Sequence, residues 1–264
     1  MKTRVFSSLV LVPVLLVVFL ILPIWAAAVV VGLMCAVASY ELLHNTGMVT
    51  NIRLTIYSAV MAFGVSIWSY YGCPNMYLGI GILCFYVLIF AEMMRSGSDL
   101  QVKDALMCMF GAFLVPYMLS ALVRILQLEQ GRIYIFVPFL LAFLSDTGAY
   151  FVGLSIGKHK LCPTISPKKT VEGFVGGIVM AIAGMITFSV LVTTAISPMI
   201  AIILGLLGSI GGVFGDLSMS VIKRQCGIKD YGKLIPGHGG ILDRFDSVLI
   251  TAPLTELFLI FVVM

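Results

Sequence analysis

Charge is scarce in this sequence. Only 11% of its 264 residues are Asp, Glu, Lys or Arg, against about 25% in soluble globular chains, while 61% are hydrophobic. No stretch is polar enough or long enough for a water-soluble domain, which excludes a soluble enzyme or a nucleic-acid-binding module. Paired cysteines are missing too. Cys35, Cys73, Cys84, Cys108, Cys162 and Cys226 contain no C-x-x-C, so neither a zinc knuckle nor a dithiol redox motif is signalled. Most lie in or beside apolar segments and read as packing residues; Cys226, inside a polar stretch, fits that reading less well. There is no Cys/His cluster of the kind zinc requires. The Walker pattern G-x-x-x-x-G-K-[ST] is absent, as are internal repeats and low-complexity tracts.

What is there is a succession of apolar segments, at roughly 5–22, 24–43, 54–71, 77–94, 105–123, 133–152, 173–196, 199–222 and 246–264. Apolar runs of roughly 18 residues with few or no charges are long enough to cross a bilayer as helices. The expected fold is therefore an all-α integral membrane protein, a polytopic bundle of about nine transmembrane helices. "MKTR" followed by Val5–Leu22 and "WAAA" resembles a signal peptide, but the run has full spanning length and further segments follow, so an uncleaved first span is expected. We divide the chain into N-terminal helices, 1–132, and a C-terminal catalytic region, 133–264, with polar loops at 153–172 and 223–245. Lysine and arginine are unevenly spread. With the N-terminus inside, fourteen of the sixteen fall on inside segments; only Arg124 and Arg132 fall outside. The expected arrangement is a multi-pass protein with a cytoplasmic N-terminus and cytoplasmic polar loops. The compact length, without a targeting extension, points to a bacterial cytoplasmic (inner) membrane.

Ionisable groups inside spans are costly and usually mark functional sites. Asp146 lies in "FLSDTGAYFVG", Asp216 in "GGVFGDLSMS", and Asp243 and Asp246 in "GILDRFDS". On a helix over 199–224, Asp216, Ser220 and Lys223 stand at i, i+4 and i+7 and share a face. Glycines 205, 208, 211, 212 and 215 on the same segment permit close approach of a neighbour. Asp243 and Asp246 share a face if the last helix begins near them. Carboxylates from separate helices with basic residues around them suit Mg²⁺, which takes one or two protein carboxylates and completes its shell with water and phosphate oxygens. "SPKKTVEG" at 166–173 predicts a helix start, with Ser166 as N-cap and Pro167 at the first helical position. Lys168 and Lys169 would then sit at the positive end of a helix dipole, a conflict that a bound phosphate relieves. The plainer reading makes them flank residues touching lipid headgroups. Gly239 and Gly240, in "GHGG", offer bare backbone to a phosphate, and His238 a hydrogen bond.

These residues sum to a long motif: Ser220-x-Ile-Lys223-Arg224, then Lys229-Asp230, then Pro236-x-His238-Gly239-Gly240-x-x-Asp243-Arg244-x-Asp246. The chain here closely resembles the phosphatidate cytidylyltransferase, or CDP-diacylglycerol synthase, family. The likeness extends upstream through "SDTGAYFVG", "GKHKL" and "SPKKTVEG", covering the second half; the first half matches only in being several apolar spans. The resemblance implies transfer of CMP from CTP to phosphatidic acid, giving CDP-diacylglycerol and pyrophosphate. It implies Mg²⁺ on Asp216 and Asp243, with K⁺ as a companion ion, a homodimer, and no nucleic-acid partner. Asp246, Lys223, Arg224, Lys229, His238 and Arg244 match motif residues around CTP and the lipid phosphate. Asp146, Ser166, Lys168 and Lys169 match the upstream block. Two other readings stay open on the residues alone: a CTP-dependent lipid-alcohol kinase and an ion-coupled transporter.

Overall fold

A computed structural model describes residue 9 and residues 12–96, 100–193 and 195–263. Lys2, Arg4 and the first third of the expected first span lie outside the described residues, residue 9 apart. Among the described residues seven helices are long and apolar enough to cross a membrane: α2 (Ile24–Asn45), α3 (Ile52–Tyr71), α4 (Asn75–Arg95), α5 (Val102–Gln127), α6 (Gly131–Ile156), α7 (Val171–Leu191) and α8 (Pro198–Gln225). Two shorter apolar helices, α1 (Val12–Ile21) and α10 (Val248–Phe261), stand where the first and ninth spans were expected. A single turn, α9 (Leu242–Phe245), precedes α10. The protein is an all-helical integral membrane bundle, with one small hairpin, β1 (Lys160–Cys162) and β2 (Ser166–Thr170).

The described chain forms two compact units: one of residues 1–129 and 226–244, the other of 130–225 and 245–264. The polar loop after α8 groups with the N-terminal helices in the first unit. Without a hydrophobic drive between helices in lipid, each unit is held by close packing and a few polar bonds. In the first unit Leu43, Leu54, Phe85, Ile89 and Cys108 form a buried cluster. Ser66 Oγ donates to the Ala28 carbonyl at 2.9 Å, joining α3 to α2. Arg124 reaches Ser69 Oγ at 3.0 Å and lies 4.3 Å from the centre of the Tyr117 ring.

In the second unit the expected close approach along α8 is present. A Cβ at Gly205 would lie 2.7 Å from Ile182 Cα of α7, and one at Gly215 would lie 2.5 Å from the Asp246 carbonyl. Ser145 and Ser209 hydroxyls bond at 2.7 Å between α6 and α8, and Thr251 Oγ1 donates to the Pro138 carbonyl at 3.0 Å. Successive helices run in opposite directions. The C-terminal ends of α6 and α8 and the N-terminal ends of α7 and α10 therefore share one end of this unit.

Candidate active site

The polar end of the second unit is built around α8. Its helical repeat brings Asp216, Ser220 and Lys223 onto one face, as the spacing predicts, and Ser220 Oγ donates to Asp216 Oδ1 at 3.2 Å. The other oxygen, Oδ2, lies 2.5 Å from the Lys169 ammonium. Lys223 is buried, which a lysine tolerates only with anionic company.

That company is Asp246. Burial first, and the charge of Asp216 second, push the Asp246 carboxyl well above the usual carboxylate range; Asp146 adds to the rise, while Lys223 and the Ser247 N–H oppose it. The Ser247 N–H donates to Asp246 Oδ1 at 2.8 Å. α9 ends before Asp246, so the shared helical face expected for Asp243 and Asp246 does not form; a turn separates them.

The segment carrying Lys168 and Lys169 corrects another expectation. Ser166 is not an N-cap and Pro167 does not open a helix. Ser166–Thr170 is a strand, paired antiparallel with Lys160–Cys162, and the helix starts four residues later than expected, at Val171. The physical reason is Thr170, whose extended backbone and Oγ1, accepting the Gly173 N–H at 3.1 Å, make the cap. Thr170 also has nearby strand partners that the Ser166 reading ignored. Strand alternation then splits the lysines. Lys169 turns to Asp216, whereas Lys168 is exposed at the rim of a cavity of about 200 Å³ lined also by Asp146, Tyr150, Lys169 and Phe174. Glu172 fastens the hairpin's other end: its carboxylate accepts the Lys158 and His159 N–H groups and meets His159 Nδ1 at 2.6 Å. Arg224 Nε donates to the Ile165 carbonyl at 3.2 Å, tying the end of α8 to the hairpin turn.

The remaining motif residues lie in the first unit, in the loop after α8 and on the turn α9. Gly237 and Gly239 have φ of 78° and 91°, the left-handed region that glycine takes at no steric cost. They fold the loop back so that Ile235 and Gly239 form an isolated bridge. The N–H groups of His238 and Gly239 both donate to the Ile235 carbonyl, at 2.9 and 3.2 Å, and that of Gly240 donates to Asp243 Oδ2 at 3.0 Å. The amides of His238, Gly239 and Gly240, where a phosphate cradle was expected, are bonded within the loop. Asp243 is buried, and its Oδ2 also accepts the Tyr231 N–H at 2.7 Å. Lys229 and Arg244 are exposed, and His238 is half-buried.

Sequence reasoning missed three residues here. Glu41 is buried on α2 and accepts the N–H groups of Ile241 and Leu242 at 3.1 and 3.0 Å. Asn45 Nδ2 donates to the Tyr231 carbonyl at 2.9 Å, and Tyr231 itself is buried. The one available signal was an acidic group at the end of an apolar span, the criterion that found Asp146 and Asp216.

Among the described residues no three His, Cys, Asp or Glu side chains stand together as a ready metal cage. Mg²⁺ does not need one. In the second unit Asp146 and Asp216 act with burial, the larger cause, to raise the Asp246 pKa, while Lys223 opposes the rise and Lys169 pairs with Asp216. Carboxylate oxygen donors fit a hard divalent cation and not a soft one.

The sequence pattern of the cytidylyltransferase family matches residues 2–262. The chain is also similar to proteins named phosphatidate cytidylyltransferase in several bacteria. It is 36% identical to one from Staphylococcus epidermidis over 181 residues, 68% of either chain. It is 46% identical to one from Staphylococcus saprophyticus over 132 residues, 50% of this chain and 51% of that protein. It is 47% identical to one from Bacillus subtilis over 132 residues, 50% of this chain and 49% of that protein. In the last two the match spans about half the relative's length. With the family's pattern extending across nearly the whole sequence, the chain belongs to the cytidylyltransferase family.

Proposed function

We propose that this protein transfers CMP from CTP to phosphatidic acid, releasing pyrophosphate and leaving CDP-diacylglycerol in the membrane. The observation that carries the reading is the lysine–aspartate cluster at one end of the second unit, built from Asp216 with residues of the long motif and the upstream block. A lipid phosphate oxygen is already anionic at neutral pH, so no general base has to be found for it. It bonds to the α-phosphorus of CTP while the bond to the pyrophosphate oxygen breaks. Both substrates are polyanions, so the work of the protein is positioning and charge neutralisation.

Lys168 and Lys169 suit that work, one exposed at the cavity rim and the other already within an ion pair. The cavity has room for a phosphate-bearing headgroup, not for a whole nucleotide or lipid. Asp216 and Asp243 are the proposed Mg²⁺ ligands, with K⁺ as a companion ion; the metal would supply charge stabilisation to the departing pyrophosphate. Lys223, Arg224, Lys229, His238 and Arg244 are proposed to surround CTP and the lipid phosphate. The lysine and arginine asymmetry supports cytoplasmic active-site loops in a bacterial inner membrane, and the family likeness supports a homodimer.

The test is an assay of purified protein in detergent–lipid micelles with phosphatidic acid, α-³²P-labelled CTP and Mg²⁺. Label should pass into the organic phase and be lost on adding EDTA. Label that enters lipid only from γ-labelled CTP would overturn the reading in favour of a lipid kinase. Lys168→Ala should raise the apparent KM for one anionic substrate by about tenfold, as befits one charge-assisted contact of ~1.4 kcal/mol. An unchanged KM for both substrates would reduce Lys168 to a lipid-flank residue.

A further inference from the structure

The first-half helices carry none of the motif, yet α2 reaches into its loop. α2 ends in a π-helical turn, Glu41–Asn45, which directs both end residues at the segment 231–242. Such turns often occur at functional sites. Asn45 holds the Tyr231 carbonyl; the Tyr231 N–H goes to Asp243 Oδ2; the same oxygen takes the Gly240 N–H; and the next two N–H groups, of Ile241 and Leu242, go to Glu41. The result is a closed circuit of five hydrogen bonds with Asp243 in the middle. The fit is tight: a Cβ at Gly232 or Gly240 would run into the Glu41 carboxylate. A buried carboxylate is expensive in a membrane protein, and an uncharged side chain could accept the same two N–H groups.

We propose that Glu41 is a positioning residue, whose carboxylate is the template on which residues 240–243 fold and which thereby fixes the orientation of the Asp243 carboxylate. It touches no substrate. The role rests on the reading of Asp243 as a cation-binding residue in CMP transfer. Partners that orient a metal-binding group typically matter tenfold to a hundredfold when removed.

The test compares full-length wild type, Glu41→Ala and Glu41→Gln in detergent–lipid micelles by two readouts. Hydrogen exchange needs no activity: in Glu41→Ala the amides of Ile241 and Leu242 should lose protection by at least about tenfold, with helices α2 and α3 unchanged. Glu41→Gln keeps one acceptor oxygen and should restore much of that protection. In the CMP-transfer assay, Glu41→Ala should lower kcat by about tenfold to a hundredfold and raise the Mg²⁺ concentration for half-activation, leaving the KM for CTP within about twofold. Glu41→Gln should recover part of the kcat. Retained protection at Ile241 and Leu242 in Glu41→Ala overturns the proposal. So does lost protection with kcat and Mg²⁺ activation unaltered. If wild type transfers no CMP at all, the proposed function fails, while the exchange readout still decides whether Glu41 shapes the loop.

Discussion

Asp243→Asn is expected to abolish measurable CMP transfer while the protein stays folded. Asparagine is nearly isosteric, and its amide oxygen can accept the Tyr231 and Gly240 N–H groups that Oδ2 accepts now. The loop circuit therefore survives the change, and only the negative charge goes. If that charge holds a cation against the nucleotide phosphates, kcat should fall by about 10³-fold, equivalent to ~4 kcal/mol of transition-state stabilisation. Thermal stability should move little by comparison. The measurement is kcat at saturating CTP and Mg²⁺, with a melting curve on the same preparation. Activity within about tenfold of wild type would assign Asp243 to loop folding alone.

The second large effect concerns packing. Gly215→Leu should cripple both stability and activity. A Cβ at this position already meets the Asp246 carbonyl at 2.5 Å, Ile250 Cγ1 at 3.2 Å and Ser247 Cα at 3.3 Å. The first and last of these are backbone, which cannot rotate away. Leucine forces α8 and the start of α10 apart, at a cost of about 3 kcal/mol. An apparent Tm roughly 10 °C lower is expected. Activity should fall further than the folded fraction, because Asp246 and Asp216 flank the wedge. Gly212→Ala is the milder control, since its Cβ would meet only Thr251 Cγ2 at 3.3 Å and Ser247 Cβ at 3.9 Å. A melting temperature for Gly215→Leu within a few degrees of wild type would show that this helix pair is not rigidly seated.

Much of the architecture could be read from the letters because a bilayer makes composition a direct statement about position. The apolar segments, their breaks and the glycine face of α8 all rest on that link. The grouping of Asp216, Ser220 and Lys223 was equally legible, since one helix supplies its own geometry. The segment 166–170 was not. "SPKKT" carries the letters of a helix start, and only pairing with Lys160–Cys162 makes it a strand. Glu41 was hidden for a different reason: its partners are main-chain N–H groups some 200 residues away, and a sequence does not display which amides lack a partner. The likeness to known relatives pointed to the loop and gave no indication of what supports it.

The loop circuit also limits how the molecule can be recombined. Glu41 and Asn45 on α2 must agree with Gly232, Gly240 and Tyr231 in the distant loop. A chimera that joined the second half of this protein to the helices of another would inherit every residue of the motif. Unless the donor helix presented a carboxylate and a carboxamide one π-turn apart, it would inherit the residues without their shape.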